Sequence, residues 1–254
     1  MMLSSTIEMS VNKVTLFLTS SPCVQGADRA LLTPENGFID RLREALPEKP
    51  RSLFICSDPD SHELTDRFAR DMRDAFAEAD MPFGQFGVLD GRNAVEADAL
   101  VNASDFIILA GGHVPTQNLF FKKIRLDVLL EGYKGVIMGV SAGSMNAASI
   151  VYVQPEMEGE SVDPFFHRFV PGLKLTQAKI LPHYQQVKNW KLDGKRLFEE
   201  ITYPDSMGRI FYALVDGSYL YQKDGREWLM GECYRIADGE LKQIGWKGDA
   251  LALS

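Results

Sequence analysis

The sequence predicts an α/β fold in which a mostly parallel sheet is covered by helices on both sides. Two observations lead to this prediction. Short apolar runs rich in β-branched residues alternate with segments of helical spacing up to about residue 150. The runs are apolar at successive positions, as in strands that are buried on both faces. Such alternation is typical of a parallel sheet with crossover helices, and we expect residues 1–254 to form one domain.

The individual elements follow from the same patterns. Strands are predicted at 14–19, 52–56, 83–89, 105–109 and 135–140. Helices are predicted between them, at 34–46, 61–79, 94–101 and 117–130. In the second helix Leu64, Phe68, Met72 and Phe76 recur every four residues, so we expect these side chains to form its core-facing stripe.

The pattern changes after residue 150. Residues 152–171 are rich in Pro, Glu and Gly and predict a long loop, followed by a strand at 175–181 and an amphipathic helix at 185–201. Strands joined by Asp-Gly turns are predicted at 210–215, 218–222, 228–236 and 240–246. Edge strands in this region would allow a homodimer.

Composition excludes several classes of partner and site. The chain has 27 Lys and Arg against 35 Asp and Glu, a net charge of -8, which disfavours binding to nucleic acid. No apolar stretch approaches the roughly 20 residues of a membrane span. The three cysteines lie far apart, so we expect neither a disulfide framework nor a metal site, and no cofactor. The polar segment 1–13 lacks the features of an export signal, and a cytoplasmic protein is expected.

The strongest chemical signal is the segment Gly139-Val-Ser-Ala-Gly143, which follows an apolar strand and precedes small, helix-forming residues. A serine flanked by such glycines can occupy a sharp turn that exposes its hydroxyl at the sheet edge. The following helix would direct unpaired N–H groups at an anionic intermediate. Ser141 is therefore the candidate nucleophile, and a serine that only caps a helix is the simpler alternative.

A serine nucleophile needs a base, and four histidines are available. His183 is preferred because it lies in Ile180-Leu-Pro-His-Tyr184, directly after a predicted strand and therefore at the same sheet edge as Ser141. His62 is early in a helix and His167 is in the long loop, where surface roles are more common. His113 belongs to a separate glycine-rich turn.

The third member of a triad would be a carboxylate that orients the histidine. Spacing alone does not choose among the acidic residues of the loop between nucleophile and base, which are Glu156, Glu158, Glu160 and Asp163. A second glycine-rich turn, residues 110–117, follows the strand at 105–109. It offers Gly112 as one oxyanion donor beside the N–H of Ala142, whereas an ordinary strand-to-helix turn is the alternative.

Three of these segments, in this order, resemble those of peptidase family S51, the group of peptidase E and cyanophycinase. The turn Ala110-Gly-Gly-His-Val-Pro-Thr-Gln117 resembles the family's GGGNxxQ turn, Gly139-Val-Ser-Ala-Gly143 resembles its GxSAG turn, and Pro182-His-Tyr184 resembles its histidine segment. Leu214-Val-Asp-Gly-Ser218 is similar to a later Glu-Gly turn of the family. The resemblance implies a fold like class I glutamine amidotransferases, with serine in place of the usual cysteine.

The resemblance also implies site residues and an activity. Ser141 would be the nucleophile, His183 the base, and Gly112 with Ala142 the oxyanion donors. Counting from Ser141 puts Glu156 on the family's acidic position, whereas anchoring on Val162-Asp-Pro164 puts Glu158 there, and Glu156 is favoured. We expect His113 and Gln117 to contact substrate. The expected activity is hydrolysis of small peptides through an acyl-enzyme.

Two departures keep other functions open. His113 stands where the family has a third glycine, and Val114 stands where it has asparagine, so an N-terminal aspartyl preference does not follow. These changes also motivate a non-catalytic, ligand-binding relative. An esterase or amidase of the α/β-hydrolase type would share the GxSxG motif. However, His183 follows Ser141 by only 42 residues, which leaves little room for that fold.

Overall fold

The computed structural model describes residues 14–253. The segment 1–13, predicted to carry no export signal, lies outside the described residues. Among residues 14–253 no helix is long and apolar enough to cross a membrane.

The first part of the chain alternates strands and helices, as predicted. Its elements are β1 (Thr15–Thr19), α1 (Phe38–Ala45), β2 (Arg51–Ile55), α2 (His62–Glu78), β3 (Gln85–Leu89), α3 (Ala97–Asn102), β4 (Phe106–Leu109), α4 (Val114–Lys123), α5 (Leu126–Leu129), β5 (Val136–Val140) and α6 (Ala142–Asn146). Short 3-10 turns at Glu35–Gly37 and Ala94–Glu96 precede α1 and α3. The predicted helix at 117–130 begins earlier, at Val114, and is broken at Arg125, whose φ is 54°.

The second part is richer in strands. Its elements are β6 (Ile150–Tyr152), β7 (Phe169–Pro171), β8 (Ile180–Leu181), α7 (Tyr184–Val187), β9 (Lys191–Leu192), β10 (Lys195–Arg196), a π-helix at Leu197–Thr202, α8 (Tyr203–Asp205), β11 (Ile210–Leu214), β12 (Tyr219–Lys223), β13 (Arg226–Met230), β14 (Cys233–Ala237), β15 (Glu240–Gly245) and β16 (Ala250–Leu253).

The central sheet has eight strands in the order β16-β13-β12-β1-β5-β4-β2-β3. The five strands from β1 to β3 in that order pair in parallel, and β12, β13 and β16 extend the sheet with antiparallel pairs. A second sheet, β15-β14-β11-β8, packs beyond α6. The predicted α/β class is confirmed, with a mostly parallel central sheet and additional antiparallel strands.

Alternating side chains of the parallel strands supply two separate cores. One face carries Leu16, Leu53 and Ile107, which pack with residues of α3, α4 and α5. The other face carries Phe17 and Phe54, which pack with residues of α1 and α2. Burial on both faces explains why these strands carry apolar residues at successive positions.

The stripe predicted for α2 is partly wrong. The helix buries Thr65, Ala69 and Met72, whereas Leu64 and Phe68 are 42% and 41% exposed. A spacing of four residues exceeds the 3.6 residues of one turn, so a stripe of every fourth residue drifts around the helix. Its first members consequently leave the core.

The predicted helix at 185–201 is also wrong. Only Tyr184–Val187 is α-helical there, and a hairpin of β9 and β10 follows before the π-helix. Asp193 and Gly194 form its turn with φ of 51° and 78°, the left-handed pair that a two-residue hairpin requires. The same turn chemistry joins β12 to β13 and β14 to β15, as predicted. Similarly, only residues 180–181 of the predicted strand at 175–181 are in a strand.

Because α6 packs closely against the sheet at Gly143, a substitution at this residue tests the fold. A Cβ at Gly143 would strike the Leu109 carbonyl oxygen and lie 2.7 Å from the Leu109 Cβ. We expect Gly143→Ala to lower the free energy of unfolding by about 1–3 kcal/mol, because α6 cannot move away from β4 without disturbing both. Urea unfolding monitored by circular dichroism measures this change.

The matched control is Gly87→Ala in the edge strand β3. A Cβ there would lie 3.4 Å from Leu53 Cδ1, which is ordinary contact, so a change below about 0.5 kcal/mol is expected. Equal destabilisation by the two substitutions would contradict the packing described for α6.

Candidate active site

The site forms along the seam where the carboxyl ends of the central strands meet the second sheet. Ser141 directly follows β5, and Ser20 directly follows β1, its parallel neighbour. His183 follows β8, and Asp216 lies in the connection from β11 to β12. Since β8 and β11 are parallel neighbours in the second sheet, each sheet contributes two polar side chains to one place.

The backbone at Ser141 adopts an unusual conformation. Its φ of 48° and ψ of -108° interrupt the passage from β5 into α6. Such angles in a non-glycine residue cost on the order of 1–3 kcal/mol, so the surrounding packing must hold them. The Ser141 N–H donates to the Thr19 carbonyl at 3.1 Å, and Ser144 Oγ donates to the same oxygen at 2.8 Å. These bonds fix both sides of the turn to β1.

His183 contacts the serine directly. Its Nε2 lies 3.0 Å from Ser141 Oγ. Its φ is 58°, a left-handed conformation that starts α7 immediately after Pro182. The His183 N–H donates to Ser20 Oγ at 2.7 Å, which fixes the backbone that carries the ring. The sequence prediction that the segment Ile180–Tyr184 brings an imidazole to the serine thus agrees with the geometry.

The carboxylate beside the histidine is Asp216. Its Oδ1 lies 2.7 Å from His183 Nδ1 and also accepts the Ser20 hydroxyl at 2.7 Å. Its Oδ2 accepts the side-chain amides of Gln185 and Gln186 at 2.6 and 2.7 Å. The Asp216 side chain is 5% exposed, so nearly all of its hydrogen-bonding capacity is satisfied within the protein.

These contacts control the ionisation of Asp216. Burial alone would raise the pKa of its carboxyl group. Hydrogen bonding and positive charge from His183, with further hydrogen bonds from Ser20 and Gln185, outweigh burial and hold the pKa below its ordinary value. Asp216 is therefore ionised at neutral pH and can orient the imidazole.

Glu156 and Glu158 do not lie against the histidine, which corrects the sequence prediction. Glu156 Oε1 accepts the backbone N–H of Val114 at 3.2 Å, at the start of α4. Burial is the main cause that raises the pKa of Glu156 above its ordinary value. Glu158 is exposed and makes no hydrogen bond or ion pair with any other residue of 14–253. Glu156 and Glu160 instead contact the glycine-rich turn, through Val114 and His113, while Asp216 lies at His183 Nδ1.

The predicted substrate contacts also need correction. Gln117 is fully buried, and its amide nitrogen donates to the Ala110 carbonyl at 2.7 Å. Its oxygen accepts from Asn146, so it braces the glycine-rich turn from behind. His113 bonds Thr116 Oγ1 at 2.7 Å and Glu160 Oε1 at 2.8 Å, and it does not line the cleft at Ser141. Gln117 thus ties the turn to α6, and His113 ties it to the neighbouring loop through Glu160.

The glycine-rich turn itself lies against the serine. A Cβ on Gly111 would be 3.5 Å from Ser141 Cβ, and one on Gly112, whose φ is 152°, would strike Ser57. The N–H groups of Gly112 and Ala142 donate no hydrogen bond to any other residue within 14–253. Unpaired donors on either side of a serine hydroxyl can stabilise an oxyanion.

A cleft of about 470 Å³ opens beside these groups, and its lining includes Gly111, Gly112, Ser141 and His183. The other two histidines are remote from it: His62 lies in α2 and borders a different surface depression, and His167 lies in the loop before β7. In the part of the chain from 14 to 253, no group of three or more His, Cys, Asp or Glu side chains could hold a metal ion.

Comparison with known proteins identifies a family for this chain. The model of peptidase family S51 matches residues 16–228. The chain belongs to peptidase family S51. The predicted family resemblance is thereby confirmed, and membership supports a peptidase. Membership in this family also argues against an esterase or amidase of the α/β-hydrolase type.

Two solved structures share the fold. A peptidase from an acI-B1 Actinobacterium is 18% identical, with a TM-score of 0.62 over 94% of this chain and 96% of that one. A putative peptidase E protein from Listeria monocytogenes EGD-e is 16% identical, with a TM-score of 0.57 over 91% of this chain and 98% of that one. Identities this low establish the fold alone. No curated protein matches the sequence.

The sequence reasoning missed Ser20, Gln185 and the position of Asp216 in the site. The signal for Asp216 was present, since Leu214-Val-Asp-Gly-Ser218 resembles the family's later Glu-Gly turn. A turn between two predicted strands gives no indication of which sheet edge it faces. Ser20 carries no motif, and only the parallel pairing of β1 with β5 reveals its position.

The lowered pKa of Asp216 predicts a pH-dependent contribution to stability. A carboxyl whose pKa is lower in the folded state stabilises the fold above its unfolded pKa, near 4, and this contribution disappears as pH falls through the folded value. Asp216→Asn should therefore lower the free energy of unfolding at pH 7 by about 1–3 kcal/mol, the range for hydrogen bonds to charged groups. The difference from the unsubstituted protein should shrink below about pH 4.

Urea unfolding at pH 7, 4 and 3 tests this prediction. Asp224→Asn is the matched control, because it removes the same charge from an exposed hairpin turn where asparagine is equally suitable. A stability difference for Asp216→Asn that stays constant, or grows, on acidification would contradict the assigned direction of the pKa shift.

Proposed function

We propose that this protein is a serine peptidase that hydrolyses small peptides with the triad Ser141, His183 and Asp216. One observation carries the proposal: His183 Nε2 is 3.0 Å from Ser141 Oγ while its Nδ1 is 2.7 Å from Asp216. A nucleophile within hydrogen-bond reach of a base, which is itself oriented by a carboxylate, is the arrangement needed to activate a weakly acidic hydroxyl.

The acylation step follows from these positions. Ser141 Oγ attacks the peptide carbonyl carbon while His183 Nε2 takes the hydroxyl proton, and the carbonyl electron pair moves to oxygen. The N–H groups of Gly112 and Ala142 stabilise that oxyanion. The intermediate collapses, the C–N bond breaks, and His183 gives its proton to the leaving amine. A water molecule then repeats the sequence at the acyl-enzyme ester, releasing the acid and regenerating Ser141.

Asp216 acts by fixing the tautomer of His183. An ionised carboxylate accepts a hydrogen bond from the Nδ1–H group, which keeps the proton on Nδ1 and leaves Nε2 free to accept from the serine. The resulting imidazolium is also stabilised by the adjacent negative charge. Glu156 is the weaker candidate for this role, because its carboxylate accepts the Val114 N–H and its raised pKa reflects a less stabilised charge.

The dimensions of the cleft favour short substrates. A volume of about 470 Å³ beside Ser141 is at the lower end of the range typical of small-molecule pockets. Such a cleft accommodates a few residues on the acyl side of the scissile bond. A non-catalytic, ligand-binding relative is the competing function, and the replacements at His113 and Val114 motivate it.

Labelling by a fluorophosphonate separates catalysis from simple binding. Reaction at Ser141 should add the phosphonyl group to one serine, detected by intact-protein mass, and Ser141→Ala should abolish it. In a dipeptide-library assay, Asp216→Asn should lower kcat/KM by about 10³ to 10⁴, because the wrong tautomer of His183 is then favoured.

Glu156→Gln is the matched control, since an amide oxygen can still accept the Val114 N–H while the charge is lost. We expect its kcat/KM to stay within a few-fold of the unsubstituted protein. A loss with Glu156→Gln equal to that with Asp216→Asn would argue for Glu156 as the acid. Ligand binding without any reaction at Ser141 would favour the non-catalytic alternative.

A further inference from the structure

One wall of the cleft beside Ser141 is an extension of the hydrophobic core. Phe54 of β2 and Met72 of α2 line it, and they are only 2% and 9% exposed. Both belong to the core cluster on the α2 face of the sheet. Phe68, one helical turn before Met72, also lines the cleft and is 41% exposed. A ligand group in this cleft would therefore contact apolar surface beneath it and an aromatic ring at its side.

The charges in the lining restrict what this wall can accept. No Lys or Arg lines the cleft; besides His183, its ionisable side chains are Cys23 and Asp71. Burial, with a smaller contribution from the charge of Asp71, raises the pKa of the Cys23 thiol to about 11. Cys23 is consequently an uncharged, weakly polar group at neutral pH. The one anion is Asp71, which is exposed and forms no ion pair with another residue of 14–253.

These features disfavour a substrate carboxylate. Its charge would lose water against Phe54 and Met72, no cation in the lining compensates, and Asp71 of like charge lies nearby. Arg67, whose guanidinium lies 5.2 Å from the centre of the Phe68 ring, is not part of the lining. A cationic side chain could pair with Asp71. However, Asp71 also borders the neighbouring surface depression, and pairs with exposed carboxylates are weak. Burial of apolar area against the cleft wall is the stronger effect.

We propose that this cleft receives an apolar side chain, that of the residue whose carbonyl Ser141 attacks, and that Phe68 determines this preference. The substrates would be peptides with leucine, methionine or phenylalanine at that position, and Asp71 would disfavour acidic ones. This inference rests on the proposed function, because it assumes that the cleft holds the acyl residue during attack at Ser141.

A series of aminoalkyl diphenyl phosphonates tests the preference. In each, Ser141 Oγ forms a bond to phosphorus and phenol leaves with the serine proton, so the rate of labelling reports the fit of one side chain. The side chains are those of leucine, phenylalanine, alanine, lysine and aspartate. We expect leucine and phenylalanine to react about tenfold or more faster than alanine, and about 100-fold or more faster than aspartate.

Three variants on α2 locate the preference. Phe68→Ala should slow labelling by the leucine and phenylalanine compounds about five- to tenfold and leave the alanine compound unchanged. Leu64→Ala is the matched control, since Leu64 is equally exposed one turn earlier and borders a different depression. It should change none of the rates. Asp71→Arg should speed labelling by the aspartate compound alone.

A fluorophosphonate without an amino-acid side chain separates the two proposals. If it fails to label Ser141, the proposed function fails, and the inference about the cleft fails with it. If it labels Ser141 but aspartate or lysine is the fastest side chain, or all side chains react equally, only the inference about the cleft is overturned. Equal effects of Phe68→Ala and Leu64→Ala would likewise overturn the role of Phe68.

Discussion

The left-handed backbone at Ser141 is the constraint on which the site depends. A φ of 48° and a ψ of -108° direct the hydroxyl away from the sheet and towards His183. This conformation is held because α6 packs against β4 at Gly143 and because the Thr19 carbonyl accepts hydrogen bonds from both Ser141 and Ser144. The strain is thus balanced by contacts of the sheet itself, and these contacts hold the serine hydroxyl within hydrogen-bond reach of His183.

Two carboxylates near the serine show how environment determines ionisation. Burial acts on both Asp216 and Glu156 in the same direction, towards a higher pKa. Asp216 receives enough hydrogen bonds to reverse this effect. Glu156 receives one, from Val114, and its pKa remains raised. The hydrogen bonds and charges around each carboxylate, which the sequence does not reveal, decide which one stays ionised.

Local patterns were sufficient for much of the fold and for half of the site. The strands and helices up to residue 150, Ser141 and His183 all follow from periodicity and from turns at strand ends. Prediction failed at one local hairpin and at the site where long-range pairing decides. The hairpin at Asp193 was mistaken for helix because its flanking residues have amphipathic spacing, although Asp-Gly is itself a turn signal. Asp216 reaches His183 only because β8 pairs with β11.

The seam between the two sheets has a consequence for how activity could be lost. Ser141 and Ser20 come from the central sheet, whereas His183 and Asp216 come from strand ends of the second. The hydrogen bonds from Ser20 to Asp216 and from His183 to Ser20 therefore also hold the two sheets together. Partial detachment of the smaller sheet would separate His183 from Ser141 while leaving the parallel core folded. Loss of activity can therefore precede global unfolding.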